Sequence, residues 1–141
     1  MPQKMTAKEA VIWLQATLKE DARVYSPGCA AEPLSLIEAW QEMPETAADL
    51  TFTGVWIPGA NKTDFASLHP STKAETFFLA PKLRGSFMGG QTAYLPSPYT
   101  DIYPWLETMP LDLAILHLSP PNKDGVCSLS CLLYTSDAAD D

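Results

Sequence analysis

The chain has 141 residues and a formal charge of −8, with 46% hydrophobic and 18% charged residues. That balance describes a globular chain long enough to bury a core in one domain, not a disordered one. It excludes the basic field that holds nucleic acid or an anionic membrane. No apolar run approaches membrane-spanning length. Of three cysteines, Cys131 lies in the C-terminal stretch taken up below, and Cys29 and Cys127 stand far apart without metal-ligand spacing, which suggests a reducing compartment and no disulfide framework. Met1 to Thr6 holds no apolar signal core, so the expected location is cytoplasmic. Asn61-Lys62-Thr63 fits a glycosylation sequon, which carries no weight without a secretory signal.

Thr6 and Glu9 form a capping-box pattern, and Val11, Leu14 and Leu18 follow at helical spacing, predicting a first helix over 6–20. Arg23 to Ser26 reads as a short strand ending in the small-residue turn Pro27 to Ala31. Glu32-Pro33 suits a first helical turn. It opens a second helix with Leu34, Ile37 and Trp40 on one face. Glu42, Glu45 and Asp49 read as a solvated acidic surface. Residues 50–57 are a second strand closed by Pro58-Gly59, and 60–72 a polar loop. Strands are expected at 74–80 and 92–96, separated by a short helix over 81–88 that Gly89-Gly90 stops. Residues 98–109 read as a helix striped by Ile102, Trp105 and Leu106, which Pro104 should start or kink. Residues 111–118 are nearly all apolar, the pattern of a strand buried on both faces of a parallel sheet.

Strands alternating with helices predict an α/β layered domain with a mainly parallel sheet flanked by helices. Ligands of such sheets bind beyond the C-terminal ends of the strands, which selects the loops at 26–33, 58–61 and 119–128. The first is built of small residues leading into a helix, where a ligand can approach backbone amides. It can equally be a plain turn. Neither a dinucleotide fingerprint nor a P-loop is present. Cys29 is a candidate nucleophile, though a small buried cysteine is the simpler reading. His117 is expected to be a structural histidine in a buried strand, and His69 an exposed loop residue. Lys62, Lys73, Lys82 and Arg84 could meet phosphate but read more simply as solvated. The four tryptophans, Trp13, Trp40, Trp56 and Trp105, are expected in the core.

Residues 131–141, Cys131-Leu-Leu-Tyr-Thr-Ser-Asp-Ala-Ala-Asp-Asp141, resemble an in-frame translation of transposase adapter DNA used in sequencing libraries. They are expected to be a non-native tail, leaving residues 1–130 as an incomplete N-terminal domain. Asp137, Asp140 and Asp141 fall in that tail, so the remainder carries −5 rather than −8.

Three segments, taken in order, resemble the acetyl-CoA hydrolase/transferase proteins among the family I CoA-transferases. The most specific is Asp112-Leu-Ala-Ile-Leu-His-Leu-Ser-Pro-Pro-Asn-Lys-Asp-Gly-Val-Cys-Ser-Leu129, similar to the family's strand and Ser-Pro-Pro loop. Val24-Tyr-Ser-Pro-Gly-Cys-Ala-Ala-Glu-Pro-Leu-Ser-Leu-Ile-Glu-Ala39 is similar to its first strand, small-residue loop and helix. Phe87-Met-Gly-Gly-Gln-Thr-Ala-Tyr-Leu-Pro96 is similar to a third stretch. Asn122 stands where the family usually has Asp, and Ser130 where it usually has Gly.

The resemblance implies two similar α/β halves with the active site between them. It implies thioester exchange in which a glutamate attacks acyl-CoA, forming an acyl-glutamyl anhydride and then a glutamyl-CoA thioester. Backbone amides stabilise the oxyanions. Coenzyme A is then a substrate and no tightly bound cofactor is expected. The partners are acyl-CoA, a small carboxylate and the missing C-terminal half of the same chain; a homo-oligomer of the full-length protein stays open. The catalytic glutamate is expected beyond Ser130, and the role is not assigned to Glu32. By position, Gly28, Cys29, Ala30 and Pro33, with Ser119, Pro120, Pro121, Gly125 and Ser128, would line the acyl or acceptor pocket. The alternatives are a non-catalytic ligand-binding or regulatory module and a sugar-phosphate isomerase, the latter needing an acid–base set not found in this domain.

Overall fold

The computed structural model describes residues 4–128; the tail at 131–141 and the Ser130 junction lie outside them. Helix α1 (Ala7–Thr17) opens on the capping box. The Thr6 amide donates to Glu9 Oε2 at 2.8 Å, and the Glu9 amide donates to Thr6 Oγ1 at 3.3 Å. The bond from the Thr6 amide and then that from the Thr6 hydroxyl, which also donates to Oε2, hold the Glu9 carboxyl below its ordinary pKa. The helix stops short of residue 20 because Leu18 turns extended and packs against the core.

Among the described residues five strands follow: β1 (Arg23–Tyr25), β2 (Thr51–Gly54), β3 (Lys73–Thr76), β4 (Thr92–Tyr94) and β5 (Leu113–Ala114). All pairs are parallel, in the order β4-β3-β2-β1-β5. Helix α2 (Leu34–Glu42) links β1 to β2, α3 (Arg84–Met88) links β3 to β4, and α4 (Tyr99–Thr108) links β4 to β5. The chain steps outward from β1 to β4, then returns to the far side of β1. The rule that such crossovers are right-handed puts helices on opposite faces when the chain reverses direction along the sheet, as it does between α2 and α4.

One face is apolar. Leu113, Val24, Phe52, Ala74 and Thr92 are in register along it. Val11 and Leu14 of α1 and Ile37 and Trp40 of α2 share one core cluster with Val24, Phe52 and Ala74. Four buried rings run through the layer. Trp40 meets Phe52 edge-on at 5.0 Å, Phe52 stacks on Phe65 at 4.8 Å, and Phe65 on Trp56 at 4.8 Å. Such pairs add to the burial of their large apolar areas. The other face is polar: Arg23, Thr51 and Lys73 form one row, and Tyr25, Thr53, Glu75 and Ala93 the next. Arg23 reaches over β2 to Glu75 at 3.0 Å. Phe77, just past β3, meets Trp105 of α4 edge-on at 4.9 Å.

Several expectations are corrected. The run 111–118 is not a doubly buried strand. Among the described residues only Leu113–Ala114 joins the sheet as a strand, with β1 as its neighbour, and Leu116 is 59% exposed. His117 is accordingly exposed, not a core histidine. Leu34 is 61% exposed, and Ile37 and Trp40 carry the buried face of α2. Trp40 and Trp56 are core, but Trp13 is 46% exposed and Trp105 only half-buried. Cys29 is exposed. His69 is half-buried, with Nδ1 2.9 Å from Ser71 Oγ and Nε2 3.3 Å from Glu45. Helix α4 runs through Pro104 instead of starting there. Among the described residues, no helix is long and apolar enough to cross a membrane.

Asp112 ties the edge strand to the rest of the sheet. Its Oδ2 accepts from the Arg23 amide at 2.9 Å, its own amide donates to Arg23 O at 3.0 Å, and Lys19 Nζ lies 2.8 Å from Oδ1. The bond from Lys19, then that from Arg23, lowers its pKa.

Two outcomes are expected. Phe52→Ala, which removes the ring shared by Trp40 and Phe65, should cost about 3–5 kcal/mol in urea unfolding. Because folding lowers the Asp112 pKa, the unfolded chain binds that proton more readily. Its stabilisation is therefore complete above the unfolded value of about 4 and is lost as pH falls through the folded value. Asp112→Asn should be less stable than the native chain at pH 7, and denaturation midpoints of the two should converge below about pH 4.

Candidate functional site

The reversal of strand order between β1 and β5 is a topological switch point, where loops leaving adjacent strands diverge and open a crevice. A crevice of about 420 Å³ lies there. Ala30 and residues 32–36 form one wall, and residues 115–118 the other. Leu34, Leu36, Ile115, Leu116 and Leu118 make the lining mainly apolar, while Glu32, Ser35 and His117 supply polar groups. This is the ordinary make-up of a small-molecule site.

The first wall hangs from an unusual turn. Gly28 is packed so tightly that a Cβ there would lie 2.0 Å from Val55 O. Gly54 is its counterpart: a Cβ would lie 2.4 Å from Ser26 O and 2.6 Å from Trp56 Nε1. The two glycines let the backbones leaving β1 and β2 run in contact. Trp56 Nε1 donates to Ser26 O across the same junction at 3.2 Å. Cys29 then takes φ +53°, a left-handed conformation costly for a side-chain-bearing residue. Its amide donates to Asn61 Oδ1 at 2.9 Å, and that oxygen also accepts from the Ile57 amide at 2.9 Å. The turn Cys29–Ala31 leads through Glu32 and Pro33 into α2. On its flank, burial pushes the Tyr25 phenol above its ordinary pKa, with Tyr99 and Cys29 adding to the rise.

The second loop closes on itself. The Ser119 amide donates to Ser128 O at 3.0 Å, and Ser119 Oγ accepts from the Ser128 amide at 2.8 Å. Asn122 Oδ1 accepts from the Asp124 and Val126 amides, both at 2.9 Å. Gly125 turns with φ +80°. A carboxylate or an amide oxygen can both do this work, so Asn122 in place of Asp preserves the turn.

Of the residues singled out from sequence, Ala30 and Pro33 line the crevice. Gly28 and Cys29 lie behind them and set the turn. Ser119, Pro120, Pro121, Gly125 and Ser128 form the exposed loop that follows the second wall. Sequence reasoning missed His117 and Leu116 as lining residues because an apolar strand pattern reads as core, and Leu34 because it shares a helical face with Ile37 and Trp40. It missed Asn61 because nothing in the chain pairs it with Cys29. The signal available for Asn61 was its place in the loop at 58–61, beyond the end of β2. Among the described residues, no three His, Cys, Asp or Glu side chains cluster to hold a metal.

No family model matches the chain. Over 127 residues, 86% of the chain, it is 30% identical to a succinyl-CoA:acetate/propanoyl-CoA:succinate CoA transferase of Fasciola hepatica. It spans about a quarter of that protein's length, 26%. Among solved structures it is similar to RipA of Yersinia pestis, with a TM-score of 0.67 and 20% identity, covering 89% of this chain and 31% of that one. A RipA mutant superposes with a TM-score of 0.69, again at 20% identity and covering 89% of this chain and 30% of that one. The fold is therefore an α/β layer with a parallel sheet, shared with RipA, and the sequence is similar to part of a CoA transferase.

Gly28→Ala tests the docking of the two strand exits. A methyl group 2.0 Å from a backbone oxygen cannot be relieved by a rotamer change. The variant should lose at least about 3 kcal/mol in chemical denaturation, and Gly85→Ala, where a Cβ meets nothing within 4 Å, should lose none.

Proposed function

We propose that the chain is the N-terminal part of an acyl-CoA:carboxylate CoA-transferase or an acetyl-CoA hydrolase of the cytoplasm. The carrying observation is the switch-point crevice, framed by the two segments that resemble the family, in a chain similar to a CoA transferase. The chemistry needs a glutamate carboxylate supplied by sequence beyond Ser130. That carboxylate attacks the thioester carbonyl and expels the CoA thiolate, leaving an acyl-glutamyl anhydride. The thiolate attacks the glutamyl carbonyl, releasing the first carboxylate and forming glutamyl-CoA. An acceptor carboxylate attacks that thioester and expels the thiolate again. The thiolate then takes the new acyl group and frees the glutamate. In a hydrolase, water resolves the intermediate.

This chain's part is to hold and orient. The apolar walls at Leu34, Leu36, Ile115, Leu116 and Leu118 suit the methylene-rich arm of coenzyme A or a short acyl group. Ala30 has no side chain long enough to obstruct a ligand. The polar groups Glu32, Ser35 and His117 fix its direction. Coenzyme A enters as a substrate, with no tightly bound cofactor required.

The test joins the chain to the coding sequence that follows codon 130. The extended protein should transfer CoA from an acyl-CoA to labelled acetate, or hydrolyse it. Borohydride should inactivate it only after acyl-CoA is added, by reducing the glutamyl thioester. The 141-residue chain alone should leave acyl-CoA intact. An extended protein that neither exchanges nor hydrolyses acyl-CoA contradicts the reading.

A further inference from the structure

We propose that Asn61 is a positioning residue, holding the Cys29–Ala31 turn as a rigid wall of the crevice from its anchor at the exit of β2. The inference deepens the reading above, since the ligand whose contact it controls is coenzyme A or its acyl group. Asn61 is 8% exposed. Its Oδ1 accepts two amide hydrogens at 2.9 Å, from Cys29 and from Ile57. The first is 32 residues away in sequence and the second four. One side-chain oxygen therefore fastens the loop leaving β1 to the loop leaving β2. Both partners are donors, which fixes the oxygen, not the nitrogen, at this point.

The turn needs that fastening. Cys29 holds φ +53°, which a cysteine does not adopt unless its surroundings impose it. The turn's internal bonds are long: the Ala31 amide to Gly28 O at 3.2 Å and the Glu32 amide to Cys29 O at 3.4 Å. Gly28 contributes close packing on Val55 but no side chain. Ala30, the next residue, is a wall of the crevice. Asn61 itself is not among the residues that line it, so it acts through the turn.

The Asn61 Nδ2 is buried and has no hydrogen-bond partner among the described residues. Replacing it with a second oxygen removes no bond, so Asn61→Asp keeps both acceptor contacts, while Asn61→Leu removes them and leaves two amides unpaired. Amide hydrogen exchange and coenzyme A titration by NMR on the 141-residue chain separate the possibilities. In Asn61→Leu, exchange at Cys29 and Ile57 should quicken by about tenfold or more, while Val24 and Phe52 keep their protection. Affinity for coenzyme A should fall by about tenfold, and Asn61→Asp should restore it to within about threefold of the native chain.

Unchanged coenzyme A affinity in a folded Asn61→Leu chain overturns the proposal. So does failure of Asn61→Asp to rescue affinity while its core amides stay protected, or loss of protection at Val24 and Phe52 together with Cys29. Should the native chain bind no coenzyme A while the exchange pattern appears as expected, Asn61's hold on the turn is supported and the ligand reading of the preceding subsection is overturned.

Discussion

The site depends on a backbone contact that only glycine permits. Where β1 and β2 end, Gly28 lies against Val55 O and Gly54 against Ser26 O, each closer than any side chain would allow. Parallel neighbours usually diverge at their ends as their loops turn toward separate helices. Here they stay in contact for several residues, tied by Asn61 Oδ1 and by the Trp56 indole. The turn that follows β1 is thereby directed to β1's other side, where β5 arrives. The crevice exists because β1's exit is committed to β2 and so leaves room against β5.

The two faces of the sheet divide the labour. The apolar face, with its four stacked and edge-on rings, supplies the burial that stabilises the domain. The polar face carries the Arg23–Glu75 pair over threonines, with the Thr53 hydroxyl, Arg23 Nε and Glu75 Oε2 buried and without hydrogen-bond partners among the described residues. Burying an ion pair recovers little net energy. This face therefore adds less to stability than the ring layer does. A second hollow of about 360 Å³ lies here, bordered by Asp21, Arg23, Lys73 and Glu75. Its acids and bases pair with one another, Lys73 with Asp21 and Arg23 with Glu75. Of these two hollows the switch-point crevice is the better candidate for a ligand.

Much of this was legible in the residues, for physical reasons that differ from element to element. The capping box of Thr6 and Glu9 is a local interaction, so it reads directly. The β/α alternation predicted the layered parallel sheet, and the rule placing ligands beyond strand ends pointed to the first loop region, part of which borders the crevice. The run at 111–118 misled because apolar content reports what a segment can bury, not which neighbours it has. Strand order is a tertiary property, and it puts this run at an edge. His117 and Leu116 therefore changed from core residues to crevice walls. Leu34 misled by the same rule on a smaller scale, since it is exposed in the first turn of α2 and lines the crevice. Asn61 was illegible because its partner Cys29 lies in another loop, and only the fold brings the two together.

The central claim is that ligand binds in the crevice between the loops leaving β1 and β5. It is tested most directly by recording amide resonances of the 141-residue chain as coenzyme A is added. The account predicts saturable shifts concentrated at Ala30, residues 32–36 and residues 115–118, with the resonances of Arg23, Lys73 and Glu75 unmoved. Shifts centred on the polar face, or none that saturate, would contradict it.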